Sequence, residues 1–153
     1  MVHMSLTESN KNILLDLAYQ SIKTGLETGH PLNIDLRDYP AELIQQRATF
    51  VTLEKNKQLR GCIGMLKAVL PLAEDIAENA FSAAFKDPRF PKVDLDELER
   101  LEIHLSILSP SVAIEFSSEE DLIAQIRPNV DGLILESGLR RGTFLPSVWQ
   151  SIP

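Results

Sequence analysis

Between Leu101 and Ile107 apolar and polar residues alternate without a break, with Leu101, Ile103, Leu105 and Ile107 set against Glu102, His104 and Ser106. A period of two sends successive side chains to opposite faces of a strand, so this segment belongs in a sheet with one packed face and one wet face. The packed face needs a cover. Leu72, Ala73, Ile76, Ala77, Ala80, Phe81, Ala84 and Phe85 provide one, recurring at helical spacing after Pro71, a residue suited to the first position of a helix. That helix stops near Lys86, because Asp87 precedes Pro88 and pre-proline residues are pushed out of the helical region. A helix lying on a half-wet sheet places the chain in the α+β class.

The remaining elements follow from the same rules. Ser5 and Glu8 have the form of a capping box, and Ile13, Leu14, Leu17, Ala18, Ile22 and Leu26 carry a first helix from about Thr7 to about Gly25. Gly29, Pro31 and Pro40 punctuate an irregular connection that either covers a cleft or, as connections usually do, crosses the surface. Residues 48–54 and 59–66 read as a hairpin turning at Lys55, Asn56 and Lys57. A short helix from Ser118 toward Ile126, a strand over 132–136, a turn at Ser137-Gly138 and a returning strand over 142–145 complete the pattern, with Pro146 placed to open a further helix. Arg60-Gly61-Cys62-Ile63 followed by Pro71 is echoed by Arg141-Gly142-Thr143-Phe144 followed by Pro146. The echo predicts a duplicated hairpin-plus-helix unit. Both copies are expected to share one mixed, largely antiparallel sheet, open or barrel-like, with flanking helices in a single domain over residues 1–153.

Composition narrows the function classes. A chain of 153 residues, 44% hydrophobic and 24% charged, is globular. Its apolar stretches fall short of the ~18 residues a spanning helix needs, and no signal-like apolar core follows a basic start, so the cytoplasm is the expected location and no membrane contact is expected. A formal charge of -7 argues against nucleic acid, and the pairs Arg140-Arg141 and Lys86 with Arg89 read as solvated surface. One cysteine makes neither an internal disulfide nor a multi-cysteine zinc site; no metal or cofactor is expected, and a metal would have to use His or carboxylate ligands. The opening Met1-Val2-His3-Met4 reads as a cloning remnant or alternative start, which sets His3 aside. Glycine-rich nucleotide loops, zinc-helix motifs and nucleophile elbows are absent.

The candidate site is Leu59-Arg60-Gly61-Cys62-Ile63-Gly64, which holds the single cysteine. Strand alternation would put Arg60, Cys62 and Gly64 on one face, and a guanidinium beside a thiol favours thiolate. Cys62 is therefore the candidate nucleophile and Arg60, Gly61 and Gly64 its binding surround. Packing of Cys62 as a small hydrophobe is the competing reading. His104 and Ser106 are candidate partners for the thiol if the strand order brings them near. Asp87, Arg89 and Phe90 form a proline-braced corner in which Arg89 either binds a carboxylate or phosphate or locks the corner through an internal salt bridge. Asn79 is either at the edge of its helix's apolar stripe or a buried amide holding a loop. His30, beside Pro31, reads as a loop residue.

Taken in order, Leu59-Arg60-Gly61-Cys62-Ile63-Gly64, Pro71-Leu72, Asn79-Ala80, Ala83-Ala84-Phe85, Asp87-Pro88-Arg89-Phe90-Pro91, Leu108-Ser109-Pro110, Asp131-Gly132 and Phe144-Leu145-Pro146 resemble the AMMECR domain family. Its prokaryotic members are called AmmeMemoRadiSam system protein A. The resemblance runs from about Ala48 to about Trp149. It implies an α+β fold with a duplicated arrangement, a functional site at the Arg60 to Gly64 motif, and a modification pathway. The implied partners are a Memo-like protein, similar to metal-dependent dioxygenases, and a radical S-adenosylmethionine enzyme. Within that pathway the chain would be either an enzyme acting on a small molecule or peptide, or a non-catalytic adaptor. The family carries an acidic residue where this chain has His104, which argues against His104 as a shared general base. The family also continues past Trp149 with a helix and strand, which this chain is expected to lack.

Overall fold

Thr7 opens the first helix by doing for the backbone what the backbone cannot do at a helix start: its Oγ1 accepts the Asn10 N–H at 3.1 Å. The computed structural model describes residues 6–146, so the expected Ser5 cap, His3, the helix after Pro146 and Trp149 lie outside the described residues. Helix α1 spans Glu8–Thr28, beyond the expected end at Gly25, and closes at Gly29, whose φ of 78° lets its N–H return to the Gly25 carbonyl. Gly25 does not terminate the helix. It lets a second helix come close, since a Cβ there would sit 2.4 Å from the Phe85 ring. Two 3-10 turns, Leu36–Asp38 and Ala41–Leu43, occupy the long connection that follows.

Strand β1 (Ala48–Lys55) runs antiparallel to β2 (Gln58–Gly64). Asn56 and Lys57 both have positive φ, 53° and 64°, which matches the right-handed twist of a two-residue hairpin. Helix α2 (Leu72–Phe85) starts after Pro71, which caps the helix from outside rather than filling its first turn. Its apolar stripe is buried together with Leu14 and Ile22 of α1 and with Val51 and Leu53 of β1. Each fully buried leucine, isoleucine or valine among them contributes about 1.5–3 kcal/mol. Ser21 ties the layers, donating to the Ala77 carbonyl at 2.7 Å and accepting the Leu32 N–H at 3.1 Å. A 3-10 helix, Leu95–Arg100, begins with a reciprocal capping box between Asp94 and Glu97 and leads into β3 (Leu101–Leu108).

The sheet order is β2-β1-β3. The alternating segment is thus an outer strand, and β1 separates it from the cysteine strand. Helix α3 (Glu119–Gln125), capped by Ser118, precedes a hairpin of β4 (Leu133–Ser137) and β5 (Arg140–Phe144). The second hairpin exists as the internal echo predicts, but among the described residues it forms its own two-stranded sheet. The barrel-like alternative is likewise not formed, because three strands are too few to close a sheet on itself. The described chain divides into two compact units, 6–107 and 108–146. No helix among the described residues is long and apolar enough to cross a membrane.

Candidate functional site

Arg60 is displaced by one residue of slack. Leu53 pairs with Gly61 and Glu54 with Leu59, so Arg60 is the extra residue of a β-bulge, and the alternation expected to align it with Cys62 is reset. Its side chain is nearly buried, at 9% exposure. Nε and Nη2 donate to Glu97 Oε2 and Oε1 at 2.7 and 3.1 Å, and Nη1 donates to the Pro91 carbonyl at 2.9 Å. Lys55, which shares the Leu53 face by alternation, also donates to Glu97 Oε2 at 2.9 Å. The Arg60 hydrogen bonds pull the Glu97 carboxyl down to about 2, Lys55 adding to the effect and burial opposing it. Arg60 therefore joins the strand to the Leu95–Arg100 helix instead of facing the thiol.

The two glycines of the motif are filled from the protein side. A Cβ on Gly61 would stand 2.2 Å from the Ala83 carbonyl oxygen of α2, and one on Gly64 would stand 2.3 Å from the Thr49 carbonyl oxygen. Both allow backbone to approach backbone, and neither presents a bare cradle to a ligand. Asn79 is the buried amide of the two readings: its Nδ2 donates to Thr49 Oγ1, the Thr49 carbonyl and Asp75 Oδ2 at 2.9, 3.2 and 3.1 Å. Asp75 also accepts from Thr49 Oγ1 at 2.6 Å. Burial still raises its carboxyl above the ordinary value of 3.8, outweighing these donors. The folded state then holds a proton that the unfolded chain has released, so stability falls as pH rises from 3.8 through the raised value. Asp75→Asn removes that penalty. Urea unfolding is expected to show the variant gaining on the wild type at pH 7 and losing that gain at pH 3.

Cys62 is half-buried, and it faces Thr52 across the hairpin with Sγ 3.2 Å from Thr52 Oγ1. Its backbone N–H donates to Asp87 Oδ2 at 3.0 Å. Asp87 is the hub of the proline-braced corner. Arg89 donates to it from Nε at 3.0 Å, Nη2 at 2.8 Å and the backbone N–H at 3.1 Å. These hydrogen bonds, led by the Arg89 side chain and joined by the Cys62 N–H, hold the Asp87 carboxyl far below the usual carboxylate range. The internal salt bridge of the corner is thus formed, yet the Arg89 side chain stays 56% exposed while Asp87 is 2% exposed. Arg89 Cζ lies 5.3 Å from the Phe90 ring centroid. Arg60 is committed to Glu97 and Pro91, so the cation that shares a partner with the cysteine is Arg89, through Asp87.

His104 does not meet Cys62. One strand lies between them, a separation of about 9–10 Å at two inter-strand spacings. Instead, His104 Nε2 lies 3.4 Å from Glu54 Oε2 and 3.7 Å from Glu102 Oε2. Ser106, half-buried, falls on the same side of β3 as His104 by alternation. Glu54 and Glu97 are functional positions that no sequence motif marks. Glu54 shares a strand face with Thr52 two residues before it, whereas nothing local marks Glu97 as the partner of Arg60.

A family model described as AMMECR1 matches residues 15–152. A protein of Methanothermobacter thermautotrophicus is 40% identical over 148 residues, covering 97% of this chain and 77% of that one. Protein MJ0810 of Methanocaldococcus jannaschii is 41% identical over 117 residues, covering 75% of this chain and 58% of its own. The crystal structure of the uncharacterized protein PH0010 from Pyrococcus horikoshii is similar with a TM-score of 0.82 at 38% identity, covering 89% of this chain and 68% of that one. The chain spans between 58% and 77% of the length of these relatives.

Proposed function

The chain belongs to the AMMECR1 family, and from that premise we propose that it is a pathway component that binds and presents, using the surface that Arg89 offers at the Asp87–Pro91 corner. The implied partners are a Memo-like protein and a radical S-adenosylmethionine enzyme. The observation that carries this reading is the Asp87 clamp: one buried carboxylate holds both the Arg89 guanidinium and the Cys62 N–H, while Arg89 stays exposed. A guanidinium held in one rotamer binds without losing that freedom again, and its free edge suits a carboxylate or phosphate on the partner or its substrate.

Nucleophilic use of Cys62 is the second reading, favoured by a half-buried thiol whose backbone shares the Asp87 carboxylate with Arg89. Against it, the Cys62 thiol meets the Thr52 hydroxyl, its N–H is held by a carboxylate already committed to Arg89, and His104 lies a strand away. Two substitutions separate the readings when purified Memo-like and radical S-adenosylmethionine proteins are titrated with the chain by calorimetry. Arg89→Ala is expected to weaken binding by at least about tenfold, the loss of one charge-assisted hydrogen bond, while Cys62→Ser binds and supports the pathway as the wild type does. Loss of pathway turnover in Cys62→Ser with binding intact would establish the nucleophile instead.

A further inference from the structure

Strand geometry assembles a second group of polar side chains that owes nothing to the Arg89 surface. Glu102 and His104 are two residues apart on β3 and so share a face, and β1, the neighbouring strand, brings Glu54 against them. The three donor atoms lie within 4.8 Å of one another. His104 Nε2 stands 3.4 Å from one carboxylate oxygen and 3.7 Å from the other. A tetrahedral ion with bonds of about 2.1 Å spaces its ligand atoms about 3.4 Å apart, so the imidazole already has ligand spacing to both carboxylates.

We propose that Glu54, Glu102 and His104 form a site for a divalent transition ion, with Zn2+ the best match and solvent completing the coordination. Two carboxylates balance the ion's charge, and a neutral imidazole supplies the nitrogen that distinguishes this site from a hard-cation cage of oxygens. The ligands sit on paired strands rather than on a loop, which limits the reorganisation needed to bind. His104 and Glu102 are exposed, leaving room for an exchangeable position of the kind a reactive zinc keeps. Lys57 is a built-in competitor. Its Nζ lies 3.0 and 3.3 Å from the two oxygens of Glu102, and its charge opposes a cation there.

The test is titration of the metal-stripped chain with Zn2+ against a chromophoric chelator. One equivalent is expected to bind, His104→Ala and Glu54→Gln each weakening it by more than about tenfold, the lower end of what even outer-shell substitutions cost. Lys57→Ala is expected to tighten it. His104 and Lys57 are exposed and Glu54 is half-buried, and circular dichroism melts verify that the variants are folded. The proposal is overturned by an absence of saturable binding, by binding unchanged in both His104→Ala and Glu54→Gln, or by binding that depends on Cys62→Ser instead.

Discussion

Gly61→Ala is expected to destabilise the protein by about 3 kcal/mol, the upper end of the cost of overpacking. The added methyl group would meet the Ala83 carbonyl oxygen at 2.2 Å. A backbone carbonyl inside α2 cannot rotate aside, so the helix must lift from the strand and give up contacts along its stripe. The second hairpin supplies the control. Gly142 occupies the corresponding position after Arg141, but a Cβ there meets nothing within 4 Å. Gly142→Ala is expected to change stability by no more than about 0.5 kcal/mol. Denaturant unfolding of the two variants checks both values, and equal midpoints would remove the close approach of α2 as the reason for glycine at residue 61.

Glu97→Gln is expected to cost about 3 kcal/mol, because Arg60 would keep its charge in a nearly closed site with the Pro91 carbonyl and a neutral amide as its acceptors. The same carboxylate sets an acid limb. Its folded value of about 2 lies below the ordinary 4.5, so its contribution is complete above 4.5 and is lost as pH falls from there toward 2. Asp87, depressed by Arg89, adds loss in the same direction. Unfolding free energies measured at pH 7, 4.5 and 3 should fall steeply for the wild type over the last interval and less steeply for Glu97→Gln. Parallel slopes would show that Glu97 does not contribute to the acid limb.

The two glycines of the cysteine motif bear differently on function than their spacing suggested. A glycine flanking a reactive residue and a glycine under a helix look alike in a sequence, since both mark a place where a side chain does not fit. At Gly61 and Gly64 the space is taken by Ala83 and Thr49 backbone. The sequence of the corner at Asp87 is compatible with a locking salt bridge and with an exposed binding cation. The structure combines them, because Arg89 locks the corner and remains exposed.

What could be read locally was determined by the chain alone: the α2 stripe, the alternation of β3, the hairpin at Asn56 and Lys57, and the second hairpin after Asp131. These depend on periods of two and 3.6 residues and on turn chemistry, and those are properties of neighbouring residues. Tertiary structure decided the rest. The bulge at Arg60 arises from how β2 registers against β1, and it moves the motif's cation to Glu97. The order β2-β1-β3 places a strand between Cys62 and His104 and delivers His104 to Glu54. Register and strand order depend on pairings between residues far apart in the chain, and local patterning is the same for many of them, so they are settled only when the whole core packs.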